Sequence, residues 1–231
     1  LRGSAFHQLG QIYKRLYNDE KSALFHKQNL DIQLLRGNKK GIAKAYKNVA
    51  GAEYKNKNYE VALDYAFKGY EIQKASSDKR QSAEFLTLIG ITYRYLNLYE
   101  ASLEYSVKAY KTYLEINDVE KMADSLIQIG FIYTRLSMYD QARVFYTKAI
   151  DLSKNGVTPK ILASAYRELA SIELEQENYE EALEMAQKAY NIYQKNDDQL
   201  KSTLVMRIIG EIPHPTCRIT LFSWNLKYLI K

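Results

Sequence analysis

The sequence is poor in residues that interrupt helices, with only three Pro and ten Gly among its 231 residues. Proline removes a backbone donor and glycine weakens a helix, so their scarcity favours an all-α chain. The single cysteine, Cys217, excludes an internal disulfide. Hydrophobic residues at 46% and charged residues at 26% exclude a disordered, collagen-like or coiled-coil chain.

Long apolar runs are also absent. No segment approaches the ~18 apolar residues that a membrane-spanning helix needs, and the sequence has no signal peptide at its start. We therefore expect a soluble chain, cytoplasmic rather than periplasmic, although the compartment stays open. The sequence begins at Leu1 without Met and enters a helical pattern at once, so we expect a fragment of a longer protein.

Charge is not concentrated in one place. The 33 Lys and Arg residues exceed the 27 Asp and Glu residues by six, but both signs are interspersed along the chain. This pattern is typical of a solvated mixed surface, and it leaves an acidic partner possible. The 21 tyrosines recur at helical packing positions, which favours a core role over the stacking of nucleic-acid bases.

A repeat organises the chain. Tyr59, Tyr99, Tyr139 and Tyr179 are each separated by 40 residues and open the phrases Y-E-V-A-L-D-Y, Y-E-A-S-L-E-Y, Y-D-Q-A-R-V-F and Y-E-E-A-L-E-M. A second phrase precedes each of them and also begins the chain. It reads L-G-Q-I-Y, V-A-G-A-E, I-G-I-T-Y, I-G-F-I-Y and L-A-S-I-E, with a small residue always in second place. A fixed period of this size predicts a solenoid of helical hairpins.

The two phrases resemble the tetratricopeptide repeat over residues 4–212. The resemblance implies an all-α, right-handed superhelical α-solenoid in which small residues let the two helices of each hairpin approach closely. Those positions are Gly10, Ala50, Gly90, Gly130 and Ala170 on first helices, and Ser22, Ala62, Ser102, Ala142 and Ala182 on second helices. Asn29 fits poorly where later copies have Gly69, Ala109, Ala149 and Ala189.

The period of 40 residues exceeds the ~34 of the ordinary tetratricopeptide repeat. Six extra residues can lengthen each helix by most of a turn. Long repeats of this kind resemble those of bacterial sensory and regulatory proteins. Rap-type peptide receptors and the sensor portions of histidine kinases and GGDEF-type diguanylate cyclases are examples.

The predicted domain organisation is a repeat array over residues 1–212, with five helical pairs and the first helix of a sixth, followed by a non-repeat tail over residues 213–231. Pro213 and Pro215 end the last helix. Three interpretations of the tail stay open: a cap on the array, a loosely ordered segment, or a sequence that has replaced further repeats.

Motifs for chemistry are missing. The sequence has no glycine-rich phosphate loop, nucleophile elbow or H-E-x-x-H pair. His214 and Cys217 have metal-ligand spacing without a second pair of ligands, and His7 has no acid–base partner. We therefore expect no catalytic residues, no metal and no cofactor, and we predict that the chain is not an enzyme.

In tetratricopeptide arrays the first helices line a concave groove, and the repeat register indicates which side chains face it. Basic residues beside large apolar ones suit an extended or helical peptide with acidic and apolar side chains. The expectation includes Ile91 and Phe131 exposed together. The predicted groove residues are Lys47, Tyr54, Ile91, Arg94, Tyr95, Ile127, Phe131, Arg135 and Arg167.

The leading hypothesis is a protein- or peptide-binding scaffold or regulatory module. The alternative is the sensor portion of a larger bacterial signalling enzyme, a histidine kinase or a diguanylate cyclase, whose catalytic domain lies elsewhere. Binding of nucleic acid is not expected, although a steep dependence of affinity on salt would indicate it. Self-association of the stack ends stays possible.

Overall fold

Eleven α-helices occupy the part of the chain that the computed structural model describes, residues 2–154 and 159–213. They follow the 40-residue spacing of the sequence repeat. The chain divides into two compact units, Leu1–Asp118 and Val119–Lys231, a division that the unbroken period does not predict. Unit 1 contains α1 (Arg2–Arg15), α2 (Asp19–Arg36), α3 (Lys39–Lys55), α4 (Tyr59–Lys74), α5 (Lys79–Tyr95) and α6 (Tyr99–Glu115). Unit 2 contains α7 (Val119–Arg135), α8 (Tyr139–Lys154), α9 (Pro159–Glu175), α10 (Tyr179–Lys195) and α11 (Gln199–Glu211).

Small residues bring the two helices of each hairpin together, as predicted. The buried Ser102 Oγ donates a hydrogen bond to the Gly90 carbonyl at 2.8 Å, and Ser22 Oγ does the same to Gly10 at 2.9 Å. A Cβ atom on Gly90 would lie 3.2 Å from the backbone nitrogen of Ser106. The recurrent small residue is therefore required by close helix–helix approach.

The turn inside each hairpin uses one left-handed residue. Five such residues recur every 40 positions with φ between 54° and 64°: Tyr17, Lys57, Asn97, Ser137 and Glu177. The next backbone N–H bonds back to the carbonyl five residues earlier, as from Asn58 to Glu53 at 2.9 Å. This pairing ends the first helix in the manner of a Schellman motif.

Tyrosines form much of the packing inside the hairpins. Tyr113, Tyr146 and Tyr193 are almost completely buried. The tyrosine that closes the first-helix phrase stacks on a ring of the second helix in three hairpins, in the pairs Tyr13–Phe25, Tyr93–Tyr105 and Tyr133–Phe145. The interpretation of the tyrosine series as largely core agrees with these contacts, whereas Tyr17 and Tyr95 are exposed.

The last described helix ends at Glu211, just before Pro213, where the sequence predicts a stop. The rest of the predicted tail, with His214, Pro215 and Cys217, lies outside the described residues. α9 begins at Pro159, as the fit of proline to a first helical turn predicts. None of the described helices combines the length and the apolar character needed to cross a bilayer.

Candidate binding surface on the first helices

The unit 1 part of the predicted groove lies on two first helices, α3 and α5, which contact each other directly. Lys47 of α3 forms an ion pair with Glu84 of α5, and each side chain keeps about a third of its surface exposed. The sequence predicts Lys47 as a free cation for a ligand. In the structure the positive charge of Lys47 is balanced by the carboxylate of Glu84, so this part of the surface is polar and close to neutral.

An aromatic cluster is formed by Tyr54 near the end of α3, Tyr95 at the end of α5 and Tyr59 at the start of α4. The Tyr54 and Tyr95 rings meet edge-on with centroids 5.3 Å apart, and Tyr59 stacks on Tyr95 at 5.4 Å. The Arg94 guanidinium lies 5.0 Å from the centroid of the Tyr95 ring, within range of a cation–π interaction. Tyr95 is 49% exposed, so the cluster offers both aromatic and cationic surface.

The Tyr54 hydroxyl stays protonated over the physiological pH range. Burial, followed by the neighbouring Tyr95 phenol, raises the pKa of Tyr54 above its ordinary value. A neutral phenol can donate a hydrogen bond as well as accept one. Tyr54 therefore adds an uncharged polar hydroxyl to the cluster.

Ile91 lies one helical turn before Arg94 and Tyr95 on α5, a spacing that places it on the same face. Its side chain is half-buried, flanked by the buried Gly90 and Thr92. Ile91 therefore contributes limited apolar surface beside the aromatic cluster.

The unit 2 part of the predicted groove departs from expectation at Ile127, which is only 8% exposed. The buried side of α7 is broad here, because Ser125 and Leu126 are buried too, and α7 contacts α9 as well as α8. Ile127 is therefore a packing residue and offers a ligand almost no surface. Phe131, four residues later, is half-buried, and Arg135, another four residues on, is exposed.

Arg167 of α9 is also less available than the sequence predicts. It forms an ion pair with its chain neighbour Glu168, and about a quarter of the Arg167 side chain is exposed. Ile91 and Phe131, which the sequence predicts to be exposed together, are each half-buried.

Two members of this surface were missed from the sequence, Tyr59 and Glu84. Tyr59 marks the start of a second helix, where the repeat indicates packing, and nothing in the pattern shows that its ring reaches Tyr95. Glu84 lies on α5. Its ion pair with Lys47 can be predicted only if α3 and α5 are known to be neighbours. Among the described residues, no three His, Cys, Asp or Glu side chains come together to hold a metal ion.

Comparison with known proteins identifies the repeat. The tetratricopeptide repeat family matches residues 121–195, and the sequence has no match among curated proteins. The apo form of RapI has a similar fold, with a TM-score of 0.85 at 20% identity over 100% of this chain and 84% of RapI.

Two further solved structures share the fold. One is a Rap conjugation gene regulator of plasmid pLS20 in complex with the Phr* peptide, with a TM-score of 0.72 at 15% identity, covering 91% of this chain and 58% of that one. The other is a STAND signal transduction ATPase with a tetratricopeptide repeat sensor from Pyrococcus horikoshii. Its TM-score is 0.78 at 21% identity, covering 89% of this chain and 32% of that one. Residues 121–195 thus match the tetratricopeptide repeat family, and the chain has the fold of tetratricopeptide-type helical hairpins.

Proposed function

We propose that the chain is a protein- or peptide-binding regulatory module that catalyses no reaction itself. The observation that carries the proposal is the cluster of Tyr54, Arg94 and Tyr95 on α3 and α5. Tyrosine and arginine side chains dominate the energetics of protein interfaces, because each combines a large contact area with directed hydrogen bonds. Here the Tyr95 ring centroid lies 5.3 Å from that of Tyr54 and 5.0 Å from the Arg94 guanidinium, and Tyr95 is partly exposed.

The similar folds support a peptide ligand. The pLS20 Rap regulator has this arrangement of helices and is seen in complex with the Phr* peptide. We infer by analogy that the first helices of the present chain bind a peptide segment. The net charge of +6 favours a ligand with acidic side chains, and the rings of Tyr54 and Tyr95 favour apolar side chains beside them.

A selection experiment tests this proposal. Peptides selected from a random displayed library on the wild-type chain are measured by calorimetry against an Arg94→Ala, Tyr95→Ala variant. We expect the variant to bind at least about tenfold more weakly, since removing interface Tyr and Arg side chains often costs more than 1 kcal/mol.

The matched control replaces a similar basic and aromatic pair on a second helix, Tyr110→Ala with Lys111→Ala on α6. This control should bind the selected peptides with nearly unchanged affinity. Equal affinity of the selected peptides for the wild type and the Arg94, Tyr95 variant would remove the basis of the proposal.

A second candidate function is the sensor portion of a larger bacterial signalling enzyme, a histidine kinase or a diguanylate cyclase. The likeness to the tetratricopeptide repeat sensor of the Pyrococcus horikoshii signal transduction ATPase favours it, because there the similar fold covers 32% of a longer chain. The full coding sequence distinguishes the two candidates. A kinase or cyclase motif in the same reading frame supports the sensor, and its absence supports a separate binding module.

A further inference from the structure

A cavity of about 210 Å³ that opens to solvent lies in unit 1 between α1, α2 and α3. We call it the first-hairpin cavity. Its wall carries three basic side chains and several amides, and none of the lining residues that the structure describes is acidic. The basic and amide side chains are His7, Arg36, Lys44, Asn29, Gln33 and Asn48.

The junction that holds the cavity lacks the ring that closes the next junction between hairpins. At the next junction between hairpins the Phe85 ring packs on Gly69, so closely that a Cβ atom there would lie 2.4 Å from the ring. The residues 40 positions earlier are Ala45 and Asn29. Ala45 is smaller than phenylalanine, and both Ala45 and the amide of Asn29 line the cavity.

The amides of the wall are held in place by local contacts. Gln33 Nε2 donates to Asn29 Oδ1 at 3.4 Å, which fixes the buried Asn29 side chain against α1. Asn48 Nδ2 lies 3.3 Å from His7 Nδ1. Because the amide nitrogen can only donate, His7 Nδ1 accepts, and the neutral ring carries its proton on Nε2.

The two charged side chains of the cavity, Arg36 and Lys44, are exposed to solvent. Arg36 and Lys44 form no ion pair with any residue in the described ranges, whereas Lys47, on the same helix as Lys44, is paired with Glu84. Desolvation, followed by the charge of Lys44, lowers the pKa of His7. An arginine fork and an ammonium group are the donors that proteins use for carboxylate and phosphate groups.

We propose that the first-hairpin cavity binds an oxyanion, a carboxylate or phosphate group, between Arg36 and Lys44. Its volume lies below the ~300 Å³ at which pockets for drug-sized ligands begin, so it accepts one such group and not a whole nucleotide. The group can come from a free small anion or from the end of a bound peptide. The site is independent of the aromatic cluster on α3 and α5, and it stands whether or not that surface binds a peptide.

Titration with inorganic phosphate at constant ionic strength tests the proposal. The readout is the imidazole NMR signal of His7 in chain labelled at histidine, which has three histidines in all. We expect a saturable shift with a dissociation constant of roughly millimolar order, weakened at least about tenfold by Arg36→Gln or Lys44→Gln. Lys111→Gln, the same charge change on an exposed residue of α6, should alter the constant less than about twofold.

A second variant closes the cavity without removing a charge. Ala45→Phe with Asn29→Gly reproduces the Phe85–Gly69 pair that the chain already uses, so the variant should fold and lose the saturable shift. A shift that grows linearly and equally in the Arg36 and Lys111 variants would overturn the proposal. So would saturable binding by the closed variant.

Two further titrations identify the source of the anion. Succinate should compete with phosphate if a free carboxylate suits the site. Penta-alanine with a free carboxyl terminus, compared with its amidated form, tests the end of a peptide. Stronger competition by the free acid than by succinate assigns the site to a peptide terminus, and the reverse order assigns it to a free anion. If neither succinate nor the free-acid peptide competes, the site binds phosphate only, and the carboxylate part of the proposal is overturned.

Discussion

The Arg143 guanidinium holds the Glu173 carboxylate with two hydrogen bonds, from Nε to Oε1 at 2.8 Å and from Nη2 to Oε2 at 3.0 Å. Asn178 donates a third hydrogen bond to the same carboxylate at 2.8 Å. Glu173 stands where three other copies of the repeat have a tyrosine stacked on the second helix. A charge in place of a ring is therefore compensated by a cation from the preceding hairpin.

The other repeat with a glutamate at this position, Glu53, also pairs it with a cation from the preceding hairpin. Glu53 is almost completely buried, and it accepts from Lys27 at 2.6 Å and from Asn58 at 2.7 Å. Both cations come from the second helix of the preceding hairpin, Lys27 on α2 and Arg143 on α8. These ion pairs join neighbouring hairpins within each unit.

Breaking the Arg143–Glu173 pair should destabilise unit 2. Leucine fits the position of Arg143, since Leu63, Leu103 and Leu183 occupy it in other copies. Arg143→Leu leaves Glu173 short of a partner, and we expect a loss of about 1–2 kcal/mol, because the pair is partly exposed to solvent. Urea unfolding of Arg143→Leu, Glu173→Gln and the double variant measures the coupling. A coupling energy near zero would show that the pair does not stabilise the fold.

The same pair should make stability depend on acid. The hydrogen bonds from Arg143 lower the pKa of Glu173 below its ordinary value, against the opposing effect of burial. A depressed carboxylate pKa gives stability that is complete above the unfolded value of about 4.3 and is lost as pH falls through the folded pKa. The free-energy gap between the wild type and Glu173→Gln should therefore shrink below pH 4. A gap of the same size at pH 7 and pH 3 would contradict this account.

His26 should make the chain sensitive to mild acid. Its ring is 2% exposed and packs on Gly10, and its Nδ1 has no hydrogen-bond partner among the described residues. Burial, then the charges of His7 and Lys14, lowers the pKa of His26 to about 4. The unfolded chain binds a proton at about 6.5. Stability therefore falls as pH drops from about 6.5 to about 4, by up to roughly 1.4 kcal/mol per pH unit.

The variant His26→Phe keeps a ring against Gly10 and cannot take up a proton. Urea unfolding between pH 4.5 and pH 7 should give a flatter pH dependence than for the wild type. His7, whose pKa is also lowered, leaves a remaining slope in both proteins. Identical slopes in the two proteins would show that His26 is not the titrating group.

Two glycines on first helices should respond in opposite directions to alanine. A Cβ atom on Gly90 meets Ser106 at 2.9 Å from Oγ and 3.2 Å from the backbone nitrogen, whereas one on Gly51 meets no atom within 4 Å. We expect Gly90→Ala to cost about 1–3 kcal/mol through forced separation of α5 and α6. Gly51→Ala should stabilise by roughly 0.5–1 kcal/mol through helix propensity. Changes of the same sign in thermal unfolding would contradict the assignment of Gly90 to a helix contact.

The left-handed turn residue Lys57, with φ of 64°, should prefer glycine. Glycine adopts this conformation without the steric cost of a Cβ atom, so Lys57→Gly should raise stability by about 0.5–1 kcal/mol. Lys111→Gly, inside α6, should lower it by about 1 kcal/mol. Urea unfolding of both variants checks the pair. Destabilisation by Lys57→Gly would show that the turn conformation is not strained in solution.

The helices could be predicted from the sequence because their signals are local or repeated. These signals are the 40-residue period, the small residues Gly10 and Gly90, and the polar turns. It was insufficient for contacts between hairpins. The pairing of Lys47 with Glu84 and of Lys27 with Glu53 depends on which helices are neighbours, and a linear pattern does not specify that.

Two other features could not be predicted from the sequence, for a related reason. The burial of Ile127 depends on how far α7 and α9 approach each other, and side-chain type alone does not set that distance. The first-hairpin cavity is lined by Asn29 and Ala45, which are 16 positions apart in the sequence. The poor fit of Asn29 to the repeat is visible in the sequence, but the cavity itself depends on how the helices pack.

The central claim is that the first helices bind a peptide, and amide chemical-shift mapping tests it most directly. A peptide selected on the wild-type chain is added to uniformly ¹⁵N-labelled protein, and shifts are compared between first and second helices of unit 1. We predict that the largest changes occur in α3 and α5, around Tyr54, Arg94 and Tyr95. Changes concentrated on α4 and α6, with α3 and α5 unaffected, would contradict the account.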